Sequence, residues 1–205
     1  MRILRTKFLG SFLDPAACPR ALPGIAFTGR SNVGKSSLVN RFANQAIART
    51  SKTPGRTRQL VYFELESDRT PPFYLIDLPG YGYAAGPVKE RQTFARAARD
   101  LLGDPSRRAA VFQLVDVSVP WQDSDLEMLT WLLEDDVPFA LAFTKCDRVN
   151  RSAPARKLAE LRKLLPWRDE IDVIATSAKD NEGIIALRKW VQGMLQDPQR
   201  DALNE

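Results

Sequence analysis

The chain has 205 residues, of which 44% are hydrophobic, and its 30 basic and 25 acidic residues leave a formal net charge of +5. This length and composition suit one globular domain and exclude a disordered chain. The sequence contains no histidine, which excludes catalysis by an imidazole, and its 2 cysteines are too few for a disulfide framework or a zinc site.

Charge, cysteine content and hydropathy also limit the partners and the compartment. The small basic excess is a weak indication of an anionic partner, and a solvated basic surface is the simpler explanation. No apolar run reaches the roughly 18 residues that a membrane helix needs, so we expect no membrane partner. The cysteine content favours a reduced cytoplasm. Nothing in the sequence indicates a stable oligomer, so we expect a monomer.

The predicted elements alternate between strands and helices along the chain. Residues 1–23 begin with charges and have a broken apolar stretch, which predicts a structured lead-in packed on the domain rather than a signal peptide. Apolar runs predict six strands, at 24–28, 60–66, 72–77, 109–116, 139–144 and 171–176. Helical spacing predicts five helices, at 35–45, 89–102, 121–134, 154–165 and 182–194. Their apolar stripes, such as Leu126, Leu129 and Leu133, are expected to face the core.

This alternation predicts an α/β fold. We expect a three-layer domain over residues 24–195, with a six-stranded, mostly parallel sheet flanked by helices. Residues 196–205 are expected to form a frayed tail.

A glycine-rich loop separates the first predicted strand from the first predicted helix. Residues 29–36 match G-x-x-x-x-G-K-[ST], the phosphate-binding loop, in the strand–loop–helix context that this motif requires. Its glycines let backbone N–H groups converge on phosphate oxygens, and the following helix adds the positive end of its dipole. Lys35 can reach the outer phosphates, and the Ser36 hydroxyl is a hard ligand suited to Mg²⁺. The loop predicts a phosphate site, which kinases, ATPases and GTPases share.

The segment DLPG at 77–80 follows a predicted strand. Asp77 can hold Mg²⁺ through water, and the N–H of Gly80 can sense a γ-phosphate. Taken alone, the segment is more simply explained as a plain turn at the end of a strand. Its value lies in its position after the phosphate loop, at the sheet edge where open parallel sheets bind ligands.

Two later strand ends carry TKCD at 144–147 and TSAK at 176–179. Asp147 can accept two hydrogen bonds from the N1–H and the amine of guanine, an edge that adenine lacks, while Lys145 lies along the loop and the base. A backbone N–H of TSAK can contact the guanine O6. Each motif alone is weak, but the four motifs in this order predict a GTP site.

A kinase that transfers phosphate to a small substrate is the alternative from another class of enzyme. It would need an acceptor site and would tolerate adenine. TKCD argues against it, because Asp147 would meet no pair of donors on adenine.

The chain resembles the translation-factor class of P-loop GTPases and, within it, the EngB family of ribosome-biogenesis GTP-binding proteins. SKTPGRTR at 51–58 and DLPGYGYA at 77–84 are the specific parts, and the resemblance runs from about residue 8 to about residue 194. Thr144 stands where most GTPases have asparagine, although the family commonly has threonine there. The last motif has TSA where the family often has two serines, which leaves its base contact open.

The resemblance implies GTP or GDP as the ligand and Mg²⁺ as the cofactor. It implies that Thr57 and Ser36 ligate Mg²⁺ directly and that Asp77 holds the ion through water. Thr53 is the alternative to Thr57 as the ligand. Pro54 and Gly55 favour a loop that changes conformation when the γ-phosphate is lost. The expected nucleotide contacts are Gly29, Arg30, Ser31, Asn32, Val33, Gly34, Lys35, Ser36, Ser37, Gly55, Arg56, Thr57, Arg58, Gln59, Asp77, Leu78, Pro79, Gly80, Thr144, Lys145, Cys146, Asp147, Thr176, Ser177 and Ala178.

Catalysis is expected to be slow and to use Lys35, Thr57 and Asn32. Ras-like enzymes orient the attacking water with a glutamine just after the DxxG motif, whereas Tyr81 stands there and lacks an amide. Related GTPases use an asparagine in the phosphate loop to bind a potassium ion that substitutes for an arginine finger, and Asn32 occupies that position. We therefore expect hydrolysis stimulated by K⁺. Two alternatives stay open, namely Asn32 as a simple loop-capping residue and a protein that acts by nucleotide occupancy and barely hydrolyses GTP.

Basic residues crowd two segments near the motifs. Residues 49–58 contain no acid, and the full basic set is Arg49, Lys52, Arg56, Arg58, Arg148, Arg151, Arg156, Lys157, Arg162 and Lys163. Such a surface can couple the nucleotide state to an RNA partner, and it can equally attract GTP or maintain solubility. The resemblance implies a role in assembly of the large ribosomal subunit, with a requirement in cell division and septation.

Overall fold

The computed structural model describes residues 1–48, 59–81, 99–104, 109–165 and 171–196. Within these residues seven strands form one sheet: β1 (Ile3–Phe12), β2 (Gly24–Gly29), β3 (Leu60–Ser67), β4 (Phe73–Asp77), β5 (Ala110–Asp116), β6 (Phe139–Thr144) and β7 (Asp172–Ala175). Four α-helices are bounded at both ends: α1 (Lys35–Ala43), α2 (Asp123–Glu134), α3 (Ala153–Leu164) and α4 (Ile184–Gln196). Residues 99–102 are also helical, inside the predicted 89–102 helix whose remainder lies outside the described residues.

The sheet has the strand order β1-β3-β4-β2-β5-β6-β7. Strands β4, β2, β5, β6 and β7 pair in parallel, and β3 runs antiparallel to both β4 and β1. The predicted three-layer, mostly parallel α/β fold is therefore confirmed. Because these five strands run in the same direction, the carboxyl ends of β2, β4, β6 and β7 lie at one edge of the sheet.

The prediction of six strands is wrong, because the lead-in contributes β1 as a seventh. Its pairing with β3 shifts register twice, between Ile3 and Arg5 and again between Phe8 and Gly10. Each shift breaks the alternation of inward and outward side chains, so Leu4 and Phe8 are 57% and 59% exposed while Ile3 is buried. An edge strand with this pattern lacks the continuous apolar run by which the other six strands were predicted. The proposed division at residues 23 and 195 stays a prediction.

Both faces of the sheet are covered by apolar side chains. On one face the helices α1 and α4 pack through Leu38, Phe42, Leu187 and Val191 against Phe27 and Phe112. On the other face the helices α2 and α3 and residues 99–102 pack against side chains such as Val111 and Phe143. This double coverage explains why the parallel strands are apolar along their whole length.

Helix α2 presents a different stripe from the predicted one. The buried positions are Asp125, Leu129, Trp131 and Leu132, while Leu126 and Leu133 are only half-buried. The buried stripe is therefore rotated from the predicted one, and it includes a carboxylate, that of Asp125, which the apolar pattern did not assign to the core. The partner that makes this burial tolerable belongs to the site described next.

Candidate functional site

The phosphate loop connects the end of β2 to the start of α1. Gly34 precedes the helix with φ +104°, a left-handed conformation that a side chain disfavours. Asn32 has φ +65°, in the left-handed region that asparagine tolerates better than most residues. No side chain caps the first turn of α1, so its leading N–H groups face the loop as donors for an anion.

The DLPG segment lies directly against this loop. A Cβ on Gly80 would stand 2.9 Å from the nitrogen of Ser31, so only glycine permits the approach. The Ser31 N–H donates to the carbonyl oxygen of Tyr81 at 3.1 Å, and the Tyr81 N–H donates to that of Gly29 at 3.3 Å. These two bonds extend the pairing of β2 and β4 beyond the sheet and bring Gly80 beside the phosphate loop.

Lys35 and Asp77 form an ion pair at the base of the loop. Asp77 ends β4, and the side chains of Lys35 and Asp77 are 10% and 7% exposed. Water has little access to this pair. A charged ligand that binds here can therefore replace Asp77 as the partner of Lys35, or Lys35 as the partner of Asp77.

The TKCD motif is hydrogen-bonded to the phosphate loop. The hydroxyl of Thr144 donates to the carbonyl oxygen of Val33 at 2.6 Å, and the ammonium of Lys145 donates to that of Asn32 at 2.8 Å. Thr144 is 3% exposed, so its hydroxyl bonds the loop away from competing water. A threonine is therefore sufficient at this position to tie β6 to the loop.

Asp116, which sequence reasoning missed, holds Lys145 from the other side. Its carboxylate lies 2.6 Å from the ammonium of Lys145. Partial burial alone would raise the pKa of Asp116, but hydrogen bonds from Lys145 and Ser118 outweigh it and lower the pKa below 3.8. The available signal was the single acidic residue that closes the apolar run of β5.

Asp147 is oriented by the last motif. The Ser177 hydroxyl, which is fully buried, donates to Oδ1 of Asp147 at 2.9 Å and accepts from the Asp180 N–H at 3.1 Å. The Thr176 carbonyl accepts from the Cys146 N–H at 3.1 Å. Burial raises the pKa of the Cys146 thiol, so Cys146 stays protonated at neutral pH. The serine therefore orients the carboxylate, a contact that the sequence did not indicate.

An open cleft of about 400 Å³ lies where these pieces meet, a size that suits a small-molecule ligand. Arg41 of α1 closes one side by donating to the carbonyl oxygen of Ala178 at 2.8 Å. The cleft is lined by Gly34, Ser37, Leu38, Asn40, Arg41, Thr144, Lys145, Asp147, Arg148, Thr176, Ala178 and Lys179. The structure thus brings the phosphate loop, TKCD and TSAK together around one cavity.

The loop around Pro54 and Gly55, which was predicted to change conformation when the γ-phosphate is lost, lies outside the described residues. This applies to Thr53, Gly55, Arg56, Thr57 and Arg58, whereas Gln59 is described and is exposed just before β3. Asn40 of α1 binds the chain that leads to this segment: its side chain accepts from the N–H groups of Ile47 and Ala48 and donates to the Ala48 carbonyl.

The side chain of Tyr81 is engaged on the α2 side of the sheet. Its hydroxyl accepts a hydrogen bond from the Gln113 amide and donates to Oδ1 of Asp125 at 3.0 Å. Burial and the neighbouring Asp125 carboxylate raise the pKa of Tyr81 well above 10.0. Tyr81 is thus a protonated hydrogen-bond donor, and it is the partner that the buried Asp125 requires.

One of the basic residues predicted for a surface is not on the surface. Lys157 is 4% exposed, its ammonium donates to the Val119 carbonyl, and it lies 4.6 Å from the ring centroid of Trp121. Burial lowers its pKa. The core position of Lys157 on the inward face of α3 therefore corrects its assignment to the basic surface, which in this region consists of Arg148, Arg151, Arg156, Arg162 and Lys163.

Within the described residues, none of the helices combines the length and the apolar character that crossing a membrane requires.

Comparisons with known proteins agree with this arrangement. A family described as 50S ribosome-binding GTPase matches residues 24–145. The probable GTP-binding protein EngB of Thermotoga maritima is 42% identical over 184 residues, which cover 89% of this chain and 92% of that protein.

Solved structures show the same architecture. A crystal structure of a probable GTP-binding protein EngB matches with a TM-score of 0.64 and 25% identity, covering 84% of this chain and 98% of that one. A crystal structure of Era in complex with MgGDPNP and nucleotides 1506–1542 of 16S ribosomal RNA matches with a TM-score of 0.71 and 20% identity, covering 85% of this chain and 57% of that one. The second likeness concerns the fold alone. The chain therefore belongs to the EngB family of GTP-binding proteins and is a P-loop GTPase.

Proposed function

We propose that the protein is a slowly hydrolysing GTPase switch that acts in the cytoplasm as a monomer during assembly of the large ribosomal subunit. In this proposal normal cell division and septation depend on it. The observation that carries the nucleotide part is the pair of hydrogen bonds from Thr144 and Lys145 to the phosphate loop, because they join a phosphate site to a guanine site across one cleft.

In the proposed complex the phosphates lie on the N–H groups of the loop and of the first turn of α1. Asp147 accepts from N1–H and the amine of guanine, and the hydrogen bond from Ser177 keeps its carboxylate in position. Backbone N–H groups of the TSAK loop are left to contact the guanine O6. Adenine offers no pair of donors to Asp147, so the site selects guanine nucleotides.

The donors around the loop fit Mg²⁺. The cation prefers hard oxygen ligands and is commonly held by one or two protein groups together with substrate phosphates. Ser36 and Asp77 supply a hydroxyl and a carboxylate next to the loop, and Thr57 would add a second hydroxyl. When bound, Mg²⁺ would neutralise charge on the phosphate oxygens. Lys35, now paired with Asp77, would contact the outer phosphates.

The proposed reaction is attack of water on the γ-phosphorus, with GDP leaving and inorganic phosphate released. The chain positions the phosphates through Lys35 and the loop, and the N–H of Gly80 marks whether a γ-phosphate is present. Tyr81 has its hydroxyl committed to Gln113 and Asp125, which favours slow intrinsic turnover. We propose that K⁺ bound near Asn32 raises this rate.

The ribosomal part of the proposal has separate support. The matching family is described as 50S ribosome-binding. Exposed cations on and beside α3 offer a surface for a phosphate backbone: Arg148, Arg151, Arg156, Arg162 and Lys163. Contact with ribosomal RNA would then depend on charge and shape.

Sedimentation with purified large ribosomal subunits tests this proposal. The protein is loaded with GDP or with a non-hydrolysable GTP analogue, and we expect co-sedimentation only with the analogue. The double charge reversal Arg162→Glu with Lys163→Glu should weaken it, whereas Arg5→Glu with Lys7→Glu on the opposite sheet edge should not. Absence of co-sedimentation in both nucleotide states would leave the GTPase assignment standing and remove the ribosomal partner.

The occupancy mechanism is the second candidate, and the engaged hydroxyl of Tyr81 is the observation that favours it. Single-turnover hydrolysis with and without large subunits separates the two mechanisms. A rate that rises in the presence of the particle supports the hydrolytic switch. Tight, nucleotide-dependent binding without any change in hydrolysis supports occupancy.

A further inference from the structure

We propose that Tyr81 is a positioning residue that fixes the N–H of Gly80 against the phosphate loop and thereby determines how well the site distinguishes GTP from GDP. The device is a hydrogen-bonded set of three side chains, Tyr81, Gln113 and Asp125, called the tyrosine cluster below. This inference rests on the proposed nucleotide site and deepens it by naming the residues that hold its γ-phosphate sensor.

The backbone of Tyr81 is hydrogen-bonded to two residues at the start of the phosphate loop. Its carbonyl accepts from Ser31 and its N–H donates to Gly29, and the two strands form a parallel bridge between Arg30 and Tyr81. Gly80, the preceding residue, is pressed against Ser31, where a Cβ would be 2.9 Å from the nitrogen. Any displacement of Tyr81 therefore moves the N–H of Gly80 relative to the loop.

The side chain of Tyr81 anchors this backbone to two different elements. Its hydroxyl binds Gln113 on β5 and Asp125 on α2, which lie 32 and 44 positions away in the sequence. Both partners stand in the apolar interior, since Gln113 is 0% and Asp125 is 2% exposed. One residue thus joins the phosphate loop to strand β5 and to helix α2.

The composition of the cluster argues for a role beyond packing. Burying an amide and a carboxylate is costly, and an apolar pair would serve the core better. Oε1 of Gln113 has no hydrogen-bond partner among the described residues, so the amide is retained at this cost while its nitrogen serves Tyr81. Burial raises the pKa of Asp125, and the hydrogen bond from Tyr81 and the positive charge of Arg30 in the phosphate loop oppose that rise.

The consequence follows from the chemistry of the two nucleotides. Only GTP has the γ-phosphate that the N–H of Gly80 would contact, so a loosened Gly80 weakens GTP and leaves GDP nearly unchanged. A purely structural role for the cluster would weaken both nucleotides alike, or neither, while lowering the stability of the fold. The ratio of the two affinities therefore separates positioning from packing.

The test measures dissociation constants for fluorescent GDP and for a fluorescent non-hydrolysable GTP analogue, together with thermal unfolding, on the full chain. Tyr81→Phe removes only the hydroxyl, and we expect about tenfold weaker binding of the analogue, the scale of one lost hydrogen bond to a charged group, with GDP within about twofold of wild type. Tyr74→Phe is the matched control, because Tyr74 is 6% exposed in β4 and its hydroxyl bonds the backbone at Ala21. Its affinity ratio should equal that of wild type.

Two variants of Asp125 keep the inference testable if Tyr81→Phe does not fold. Asp125→Ala removes the acceptor of the Tyr81 hydroxyl. Like Tyr81→Phe, it should lower the ratio of the affinity for the GTP analogue to the affinity for GDP. Asp125→Asn retains an acceptor oxygen and should keep the ratio within about threefold of wild type, a smaller loss than a deleted partner gives. An unchanged ratio in both Tyr81→Phe and Asp125→Ala would overturn the inference. Failure of the wild-type protein to bind either nucleotide would instead overturn the proposed site.

Discussion

The hydroxyl of Thr144 donates a 2.6 Å hydrogen bond to the carbonyl oxygen of Val33, 111 positions earlier in the chain. This bond joins the end of β6 to the phosphate loop inside the protein, where neither group has water as an alternative partner. The position of TKCD is consequently tied to that of the phosphate loop. Nucleotide affinity should depend on this contact although neither atom is expected to touch the nucleotide.

Thr144→Val replaces the hydroxyl with a methyl group of similar size. The carbonyl of Val33 then loses a buried donor, so we expect about 1–2 kcal/mol lower stability and a several-fold loss of affinity for GTP and GDP alike. Denaturant unfolding and nucleotide titration measure the two effects. Thr144→Ser keeps the hydroxyl and should restore most of the affinity, and equal affinities for the valine variant and wild type would contradict this role.

Asp116→Asn removes the charge that holds Lys145. We expect weaker binding of both nucleotides, because Lys145 would no longer be held between Asp116 and the carbonyl of Asn32. The pKa of Asp116 is lowered in the fold, so its stabilising contribution is present above its unfolded value of 3.8 and is lost as the pH falls through the lower folded value. Since the pair is partly screened by solvent, this contribution is about 1 kcal/mol.

Unfolding of wild type and Asp116→Asn across pH checks this second effect. The difference in stability should be constant from neutral pH down to about the ordinary aspartate pKa of 3.8 and should close below it. A gap that persists unchanged under strongly acidic conditions would show that the charge of Asp116 is not its source.

Asp147→Asn tests the guanine contact. An amide presents a donor where guanine also has donors, so GTP affinity should fall by about 2 kcal/mol or more, whereas xanthine nucleotides, which carry an acceptor there, should gain. Competition titrations with GTP and XTP measure the change. Asp172→Asn, at an exposed aspartate bound to Trp190, is the control. Unchanged GTP affinity in the Asp147 variant would count heavily against the assigned base site.

The cation dependence of hydrolysis tests the role of Asn32. If Asn32 supports a bound K⁺, GTP turnover should be faster in potassium than in sodium buffer, and Asn32→Ala should abolish the difference. Asn32→Gly, which suits the left-handed φ of +65° even better, should also lose the stimulation although the loop conformation is kept. Equal turnover of the wild-type protein in the two buffers would exclude the potassium mechanism.

Sequence reasoning predicted the parts of the site whose function follows from local order. The phosphate loop, DLPG, TKCD and TSAK each lie in a short stretch at the end of an apolar run, so their residues and their order predict the chemistry directly. The strand–helix alternation predicted the layers for the same reason. The edge strand β1 was missed because its bulges and its exposed apolar residues remove the periodic pattern by which a strand is predicted.

The contacts that complete the site could not be predicted in this way. Three of these contacts are made by single polar residues in or beside apolar segments, namely Asp116, Gln113 and Asp125. The local sequence around such a residue is the same whether its side chain is buried, lies in a turn or faces solvent. Their partners lie about 30 or more positions away, as with Tyr81 and Gln113, separated by 32 positions. Burial of Lys157 has the same origin, because a lysine on an amphipathic helix points to solvent unless packing rotates its face inward.

By itself the amino-acid sequence determined the α/β class, the family and the four nucleotide motifs, because each depends on residue types at short, fixed spacing. Only the tertiary structure decided that Thr144 and Lys145 bond the phosphate loop, that Ser177 orients Asp147, and that Tyr81 is anchored to Gln113 and Asp125. Such contacts arise where distant strands end at the same sheet edge or share the same covering helix. Their energies depend on burial and on donor–acceptor distance, which the packing of the whole domain creates.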